Sequence, residues 1–459
     1  MDHKKKGILF LVFIIIYTLY FVTSTGVNTS NDGAHIGLAK SIYYEHQFNV
    51  EKYLDVYVFR PDYAVKNNQI FSDRLPGTAS LIIPAFAYAN LLKGIGFSSA
   101  VDTNELDIVI ASILPPLFGL LSAVLLFWYY YKILRKKFSI SIICTFIYAF
   151  ATLAWLESSH LFSHAPSLLF VSLAVLIVIS DFKKISWQKQ LIISSMLLGF
   201  ASWIELQNFL FFFPLLGYII YKNNLLKKEF RNQLVKYCVL TGIIIIVFIC
   251  GILSYNYMVF EEFTLKSNKF NPFFPEEKSF MTALSGNILQ GLDNLYTSFT
   301  NIEAYVNPLK ARLNDIPGIF VSSPVMILSV IGFFFFYKKH KAKAIVLLSC
   351  IFIATLIAAM HVTTLVRHFY TVNLFLFLPF IFFIEYIYQK ENKEKKNWLL
   401  IGTCIFVLIS FIRVFFSAIS YWGRNFDNLF LYKEELLLFF IANIPLILIL
   451  FFFRAYSKQ

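Results

Sequence analysis

Apolar runs of about twenty residues return along almost the whole of this 459-residue chain. Each is long enough to carry a helix across a hydrocarbon core about 30 Å thick. Residue usage agrees: 58% of residues are hydrophobic and 15% charged, against about 45–50% and about 25% in a soluble domain. The fold class expected is therefore an all-α polytopic integral membrane protein. The first run spans Gly7 to about Thr25, the second 106–134. Others follow at 139–157, 165–182, 190–204, 206–222, 236–258, 318–337, 345–362, 369–388, 398–419 and 435–454, making about twelve crossings, with the short pair around Glu205 either two crossings or two half-crossings.

The net charge of +13 does not point to nucleic acid. Its Lys and Arg stand mostly in short clusters beside apolar runs, where orientation signals belong. The head Asp2 to Lys6 precedes a run longer than a signal-peptide core, and Val22-Thr-Ser-Thr-Gly26 offers no Ala-x-Ala cleavage site. It reads as an uncleaved signal anchor with Lys4 to Lys6 in the cytoplasm, which puts the following loop outside. If Thr78–Phe97 also crossed, Lys132, Arg135, Lys136 and Lys137 would lie outside, against the positive-inside rule. A helix lying at the outer interface, or dipping in and returning, removes the conflict. Lys183-Lys184, Lys227-Lys228-Arg231, Lys338 to Lys343 and Lys390 to Lys396 then all fall inside, and both termini are cytoplasmic. The expected location is a cell membrane, prokaryotic in type. All five cysteines lie within apolar runs without CxxC spacing, as inert packing residues do.

The extracytoplasmic face then has a definite content. It holds a first loop over 26–105 with interfacial helices, the turn Glu157–His164, the turn Glu205–Asn208, a second large loop over 259–317, the turn His361–His368 and the stretch from Tyr421 to Glu435. The first loop gathers Asp32, His35, Glu45, Asp55, Arg60, Asp62, Asp73 and Arg74, which its hydropathy does not explain. His46, His160, His164, His361 and His368 share that face. No Walker motif and no GxGxxG in a strand–helix unit occurs, which excludes a nucleotide-driven enzyme working from the cytoplasm.

Three motifs in order carry a resemblance. Asn31-Asp32-Gly-Ala-His-Ile-Gly-Leu-Ala-Lys40 follows the first run, Asp73-Arg74-Leu-Pro-Gly-Thr-Ala-Ser-Leu-Ile-Ile-Pro84 comes later in the loop, and Phe162-Ser-His-Ala-Pro-Ser-Leu-Leu-Phe170 opens a helix. Together they resemble the GT-C superfamily of membrane glycosyltransferases, whose relatives include dolichyl-phosphate-mannose protein mannosyltransferases and the aminoarabinose transferases of lipid A. Ile316–Pro324 and Val366-Arg-His-Phe-Tyr370 are similar to later stretches of prokaryotic members. The likeness covers most of the chain as layout plus short motifs, so residues 1–459 read as one GT-C-like transmembrane domain.

The resemblance implies a sugar carried on polyprenyl or dolichyl phosphate and inverting transfer on the outer face. A base must take the acceptor proton and a cation must hold the departing phosphate. Asp32 occupies the family's loop-acid position and is the candidate base; it could instead cap a helix running from Gly33 to about Tyr44. Arg74 stands where relatives place a basic residue before a Pro and would grip the donor phosphate, as would Arg367, or each could anchor in headgroups. His164 stands where relatives often carry an acid, which departs from a two-carboxylate mechanism. Glu157, His160 and His164 are spaced i, i+3, i+7, one face if helical. They could bind a divalent cation, or line the substrate site with His35, Asp73, Glu205 and His368. No soluble cofactor is demanded. The partners implied are the lipid-linked donor, membrane lipids and an acceptor that is lipid, polysaccharide or protein. A transporter or lipid-sugar flippase would also be polytopic, but it should show internal repeats and charges at the midplane, and neither is visible. An outer-face polymerase or ligase and a non-catalytic scaffold are the other classes.

Overall fold

The computed structural model describes residues 2–24, 26–27, 29–54, 56–57, 62–95, 103–180, 185–265, 267–273, 319–359 and 370–422. Helix α1 (His3–Val22) starts at Asp2, whose carboxylate accepts from the Lys5 amide. Short α2 (Ser30–Lys40) and α3 (Glu51–Leu54) follow, then strands β1 (Tyr63–Lys66) and β2 (Gln69–Ser72). Helices α4 (Pro76–Gly94) and α5 (Thr103–Ala111) complete the first loop. Beyond it come α6 (Leu114–Trp128), α7 (Phe138–Ala151), α8 (Ala154–Glu157), α9 (His164–Ile179), α10 (Trp187–Ile204), α11 (Phe212–Lys222) and α12 (Arg231–Phe260). Later helices run over Val325–Lys339, Lys341–Ala359, Phe380–Tyr388 and Lys393–Trp422.

Among the described residues, five helices are long and apolar enough to cross a membrane: His3–Val22, Leu106–Ile133, Lys228–Phe260, Tyr370–Tyr388 and Lys393–Phe415. The chain is thus a polytopic membrane protein, though five such helices are fewer than the twelve crossings expected. Two of the expected runs are interrupted. The one over 139–157 breaks at Thr152, which turns extended and whose hydroxyl accepts from the Ala154 amide and from Asn373 at 3.1 Å each. The one over 369–388 turns at Pro379, where a proline cannot donate to the preceding turn, although Tyr370–Tyr388 as a whole is still one of the five long apolar helices. The expected crossing at 435–454 lies outside the described residues, as does most of the second loop. The described cysteines are all free.

The first loop departs from all-α. β1 and β2 pair antiparallel around Asn67 and Asn68, both left-handed at φ 51° and 61°. Two-residue turns of this kind match the right-handed twist of a hairpin. The hairpin, α2, α4, α5 and the end of α12 share a second hydrophobic core, with Ile36, Phe71, Phe86, Leu106 and Phe260 buried in it. The larger core lies among α1, α6, α7, α9, α10 and the helices beyond residue 319.

The expected interfacial helix over Thr78–Phe97 is α4, and it is not among the five long apolar helices. Its first turn lies on the end of α10: a Cβ on Gly77 would fall inside the backbone of Trp203 and Ile204. Backbone cannot rotate aside as a side chain can, so Gly77→Ala should cost about 1–3 kcal/mol, the usual cost of overpacking. A lower melting midpoint in lipid nanodiscs would register it, and an unchanged midpoint would contradict the close approach.

Candidate active site

Three helix ends and a hairpin meet at the face that carries the first loop. At the start of α2, Thr29 is the N-cap and Asp32 sits three residues on. The Asp32 amide donates to the Thr29 hydroxyl, and the Asp32 carboxylate accepts from the Thr29 amide at 3.0 Å and the Thr29 hydroxyl at 2.8 Å. This is a capping box. The helix-capping alternative for Asp32 is therefore realised, but with Thr29 rather than Asp32 at the cap itself. Asp32 is wholly buried, and His35 lies one turn further along the same helix.

The hairpin delivers the second group. Asp62 precedes β1 and Arg74 follows β2, so closing the hairpin brings Nη2 of Arg74 to 2.5 Å from Asp62. Nε of Arg74 lies 3.3 Å from Asp73. Ser30, at the head of α2, donates to Asp62 at 2.7 Å. Asn271, from the start of the second loop, donates to Asp73 at 2.8 Å. Two carboxylates hold the Arg74 guanidinium, the expected phosphate-binding group, and 30% of its side chain remains exposed.

Helices α9 and α10 supply the third group. His164 opens α9 and Glu205 ends α10, and their side chains meet at 2.6 Å. Ser163 and Ser167 donate to the same carboxylate at 2.8 and 2.9 Å. Burial by itself would raise the Glu205 pKa, but the His164 charge and the hydrogen bonds from His164, Ser163 and Ser167 outweigh it and hold it down at about 2. The sign follows directly. A carboxyl depressed in the folded state contributes stability that is fully present above its ordinary value near 4.5 and is lost as pH falls through that value towards 2. Glu205→Gln should weaken this acid-induced loss between about pH 4.5 and 2, read from melting midpoints across that range. Equal slopes in the two proteins would rule out the buried ionised pair.

His35 lies within reach of the second and third groups. Its ring is 1% exposed, and burial, followed by the charges of Arg74 and His164, pushes its pKa down to about 3, with Glu205 opposing. It is neutral at physiological pH.

Glu157, His160 and His164 do not share one helical face. Glu157 ends α8, the chain turns through Ser158 to Ser163, and His164 begins α9. His160 stacks on Phe162 with ring centroids 5.0 Å apart, and Phe162 in turn meets His164 edge-on. Among the described residues no group of three or more His, Cys, Asp and Glu side chains is disposed to hold a metal ion. Arg367 and His368 lie outside the described residues.

Sequence reasoning named Asp62 among the charges of the first loop without giving it a role, and it did not single out Asn271, Ser167 or Asp107. Asp107 is the hub of a buried network below the far end of α2: Lys40 reaches it at 2.9 Å, Lys93 at 2.8 Å and the Tyr44 hydroxyl at 3.1 Å. Both Lys40 and Asp107 are 2% exposed. The only local signal was a lysine and an aspartate in otherwise apolar helix, which are costly to bury unless matched.

No protein-family model matches this sequence, and no curated protein sequence matches it. Similarity appears at the level of the fold. Archaeal oligosaccharyltransferase AglB from Archaeoglobus fulgidus, solved in complex with an inhibitory peptide and a dolichol-phosphate, is similar over 91% of this chain and 56% of its own, with TM-score 0.53 and 12% identity. An Archaeoglobus fulgidus oligosaccharyltransferase in the apo form is similar over 90% of this chain and 55% of its own, with TM-score 0.51 and 11% identity. The chain therefore spans about half the length of these solved structures. The likeness is one of fold, shared with these oligosaccharyltransferases over nine-tenths of this chain at 11–12% identity.

Proposed function

We propose that this protein is a membrane glycosyltransferase that moves a sugar from a polyprenyl-phosphate carrier to an acceptor at the extracytoplasmic face. The observation that carries the reading is the convergence of Asp32, His35, Arg74, His164 and Glu205 from three helix ends and a hairpin, within a fold like that of an oligosaccharyltransferase. That neighbour was solved with a dolichol-phosphate, which supports a lipid-phosphate partner here. Buried charges with matched partners at a helix-end junction are costly to build and are typical of functional sites in membrane proteins.

The chemistry assigned to these groups is direct displacement. The acceptor oxygen attacks the anomeric carbon, the bond from that carbon to the phosphate oxygen breaks with its electron pair leaving on the phosphate, and the acceptor proton passes to the Asp32 carboxylate. Inversion follows from one displacement. Arg74 stabilises the departing phosphate through its open edge while Asp62 and Asp73 fix its plane; a guanidinium held in this way loses less freedom when it binds an oxyanion. Arg367 and His368 join the donor side in this scheme. The His164–Glu205 pair is assigned to the polar lining of the substrate site in this scheme.

The test uses purified full-length protein in lipid nanodiscs with a panel of radiolabelled polyprenyl-phosphate monosaccharides, alone and with cell-envelope extract as acceptor source. Sugar release or transfer from at least one donor is expected. Donor binding without turnover under every condition would move the assignment to a lipid-sugar flippase.

A further inference from the structure

Most buried polar side-chain atoms in folded proteins have a hydrogen-bond partner, and the exceptions need a reason. His35 is such an exception twice over: neither Nδ1 nor Nε2 has a hydrogen-bond partner among the described residues, although the ring is 1% exposed. It sits on the first buried helix of the loop, one turn from Asp32, and the fields of Arg74, His164 and Glu205 all reach it. None of those three is free to serve it. Arg74 is held by Asp62 and Asp73, and Glu205 by His164, Ser163 and Ser167.

From this placement we infer that His35 is a recognition residue for a hydroxyl of an uncharged sugar ring, giving it one hydrogen bond and accepting another. The inference rests on the transferase reading of the site and adds to it the group that tells sugar from phosphate. A neutral imidazole presents one donor and one acceptor. A hydroxyl can answer both at once, whereas an ionised phosphate diester, which has no P–OH, only accepts and would leave one nitrogen unanswered. Burial together with the Arg74 and His164 charges keeps the ring in the neutral form that this requires. A site that hydrogen-bonds a particular hydroxyl discriminates strongly against sugars lacking it, because its own buried groups are then left unpaired.

The test is a ring-nitrogen spectrum of the full chain in lipid bilayers with its eight histidines labelled with 15N, the His35 signals being assigned by their loss in His35→Gln. Probes are a panel of methyl glycosides and dimethyl phosphate, a diester that carries no P–OH. The expected result is that His35 stays neutral through the neutral pH range and that its two nitrogen signals move with at least one methyl glycoside and not with phosphate. His35→Phe, with neither donor nor acceptor, should weaken that glycoside by about tenfold or more, as loss of two neutral hydrogen bonds predicts. His35→Gln, which keeps a donor and an acceptor, should stay within a few-fold, and it carries the comparison should the Phe variant fail to fold. Signals that move with phosphate alone, or with no glycoside, would overturn the inference, the latter leaving a buried water as the only partner. The two readings fail separately. Glycoside-dependent signals without turnover from any lipid-linked donor sink the transferase, and turnover with His35 unmoved sinks the recognition role.

Discussion

Asp32→Asn should lower sugar turnover by about a hundredfold or more, the span usually supplied by a positioned general base. Asn matches the size of Asp, and its amide oxygen can still accept from the Thr29 amide, so the capping box keeps its main strut. Loss of rate would then report loss of proton transfer. Thr29→Ala provides the control, since it removes the cap hydroxyl, at a cost of about 0.5–2 kcal/mol, and leaves the carboxylate in place. Wild-type turnover in the Thr29 variant with collapse in the Asp32 variant is the expected pattern. Equal losses in both would mean that Asp32 matters only as a helix-end residue, and an active Asp32→Asn protein would remove it from the mechanism.

The largest effect on stability is expected at Asp107. Its carboxylate is shared by Lys40 and Lys93, ends of α2 and α4 respectively. Asp107→Leu would leave two like charges close together in a setting where Asp107 and Lys40 are 2% exposed, and removing one member of a buried ion pair costs about 3–5 kcal/mol. Low yield and a sharply lower melting midpoint are expected. Because Lys40 is the last residue of the helix that bears Asp32, the damage should spread to activity. Replacing all three members with apolar residues of similar size should recover most of the stability, as such exchanges are often neutral or better. If Asp107→Leu melts with the wild type, the network carries no net stabilisation.

Much of the architecture could be read from hydropathy and charge placement, because bilayer thickness and the positive-inside rule act on composition over long windows. A helix is a case in point: expected over Thr78–Phe97, one runs over Pro76–Gly94. What a window cannot register is a single residue that caps or breaks. Thr152 divides a run that averages as one span and leaves the shorter helix Phe138–Ala151. The site was half legible. Asp32 and its helix stood out, since an acidic residue ahead of a small-residue helix is a local pattern. The partners of Arg74 and of His164 did not. Asp62 reaches Arg74 only because a hairpin folds between them, and Glu205 reaches His164 across 41 residues by the packing of α9 on α10. The same packing breaks the i, i+3, i+7 reading of Glu157, His160 and His164, because the chain leaves the helix after the first of them.

The Asn271 contact on Asp73 spans 198 residues, and Asn67 at the hairpin tip reaches Glu261 across 194. Both hold the first loop against chain that is made much later. At ordinary synthesis rates of about 5–20 residues per second, the carboxylate of Asp73 waits about 10–40 s for Asn271 to arrive. The loop therefore reaches its final form only after α12 has been inserted, and biogenesis of the site is timed by a segment far from it. Arrested chains ending before residue 260 should leave the hairpin open to protease, and chains extended well beyond residue 273 should protect it.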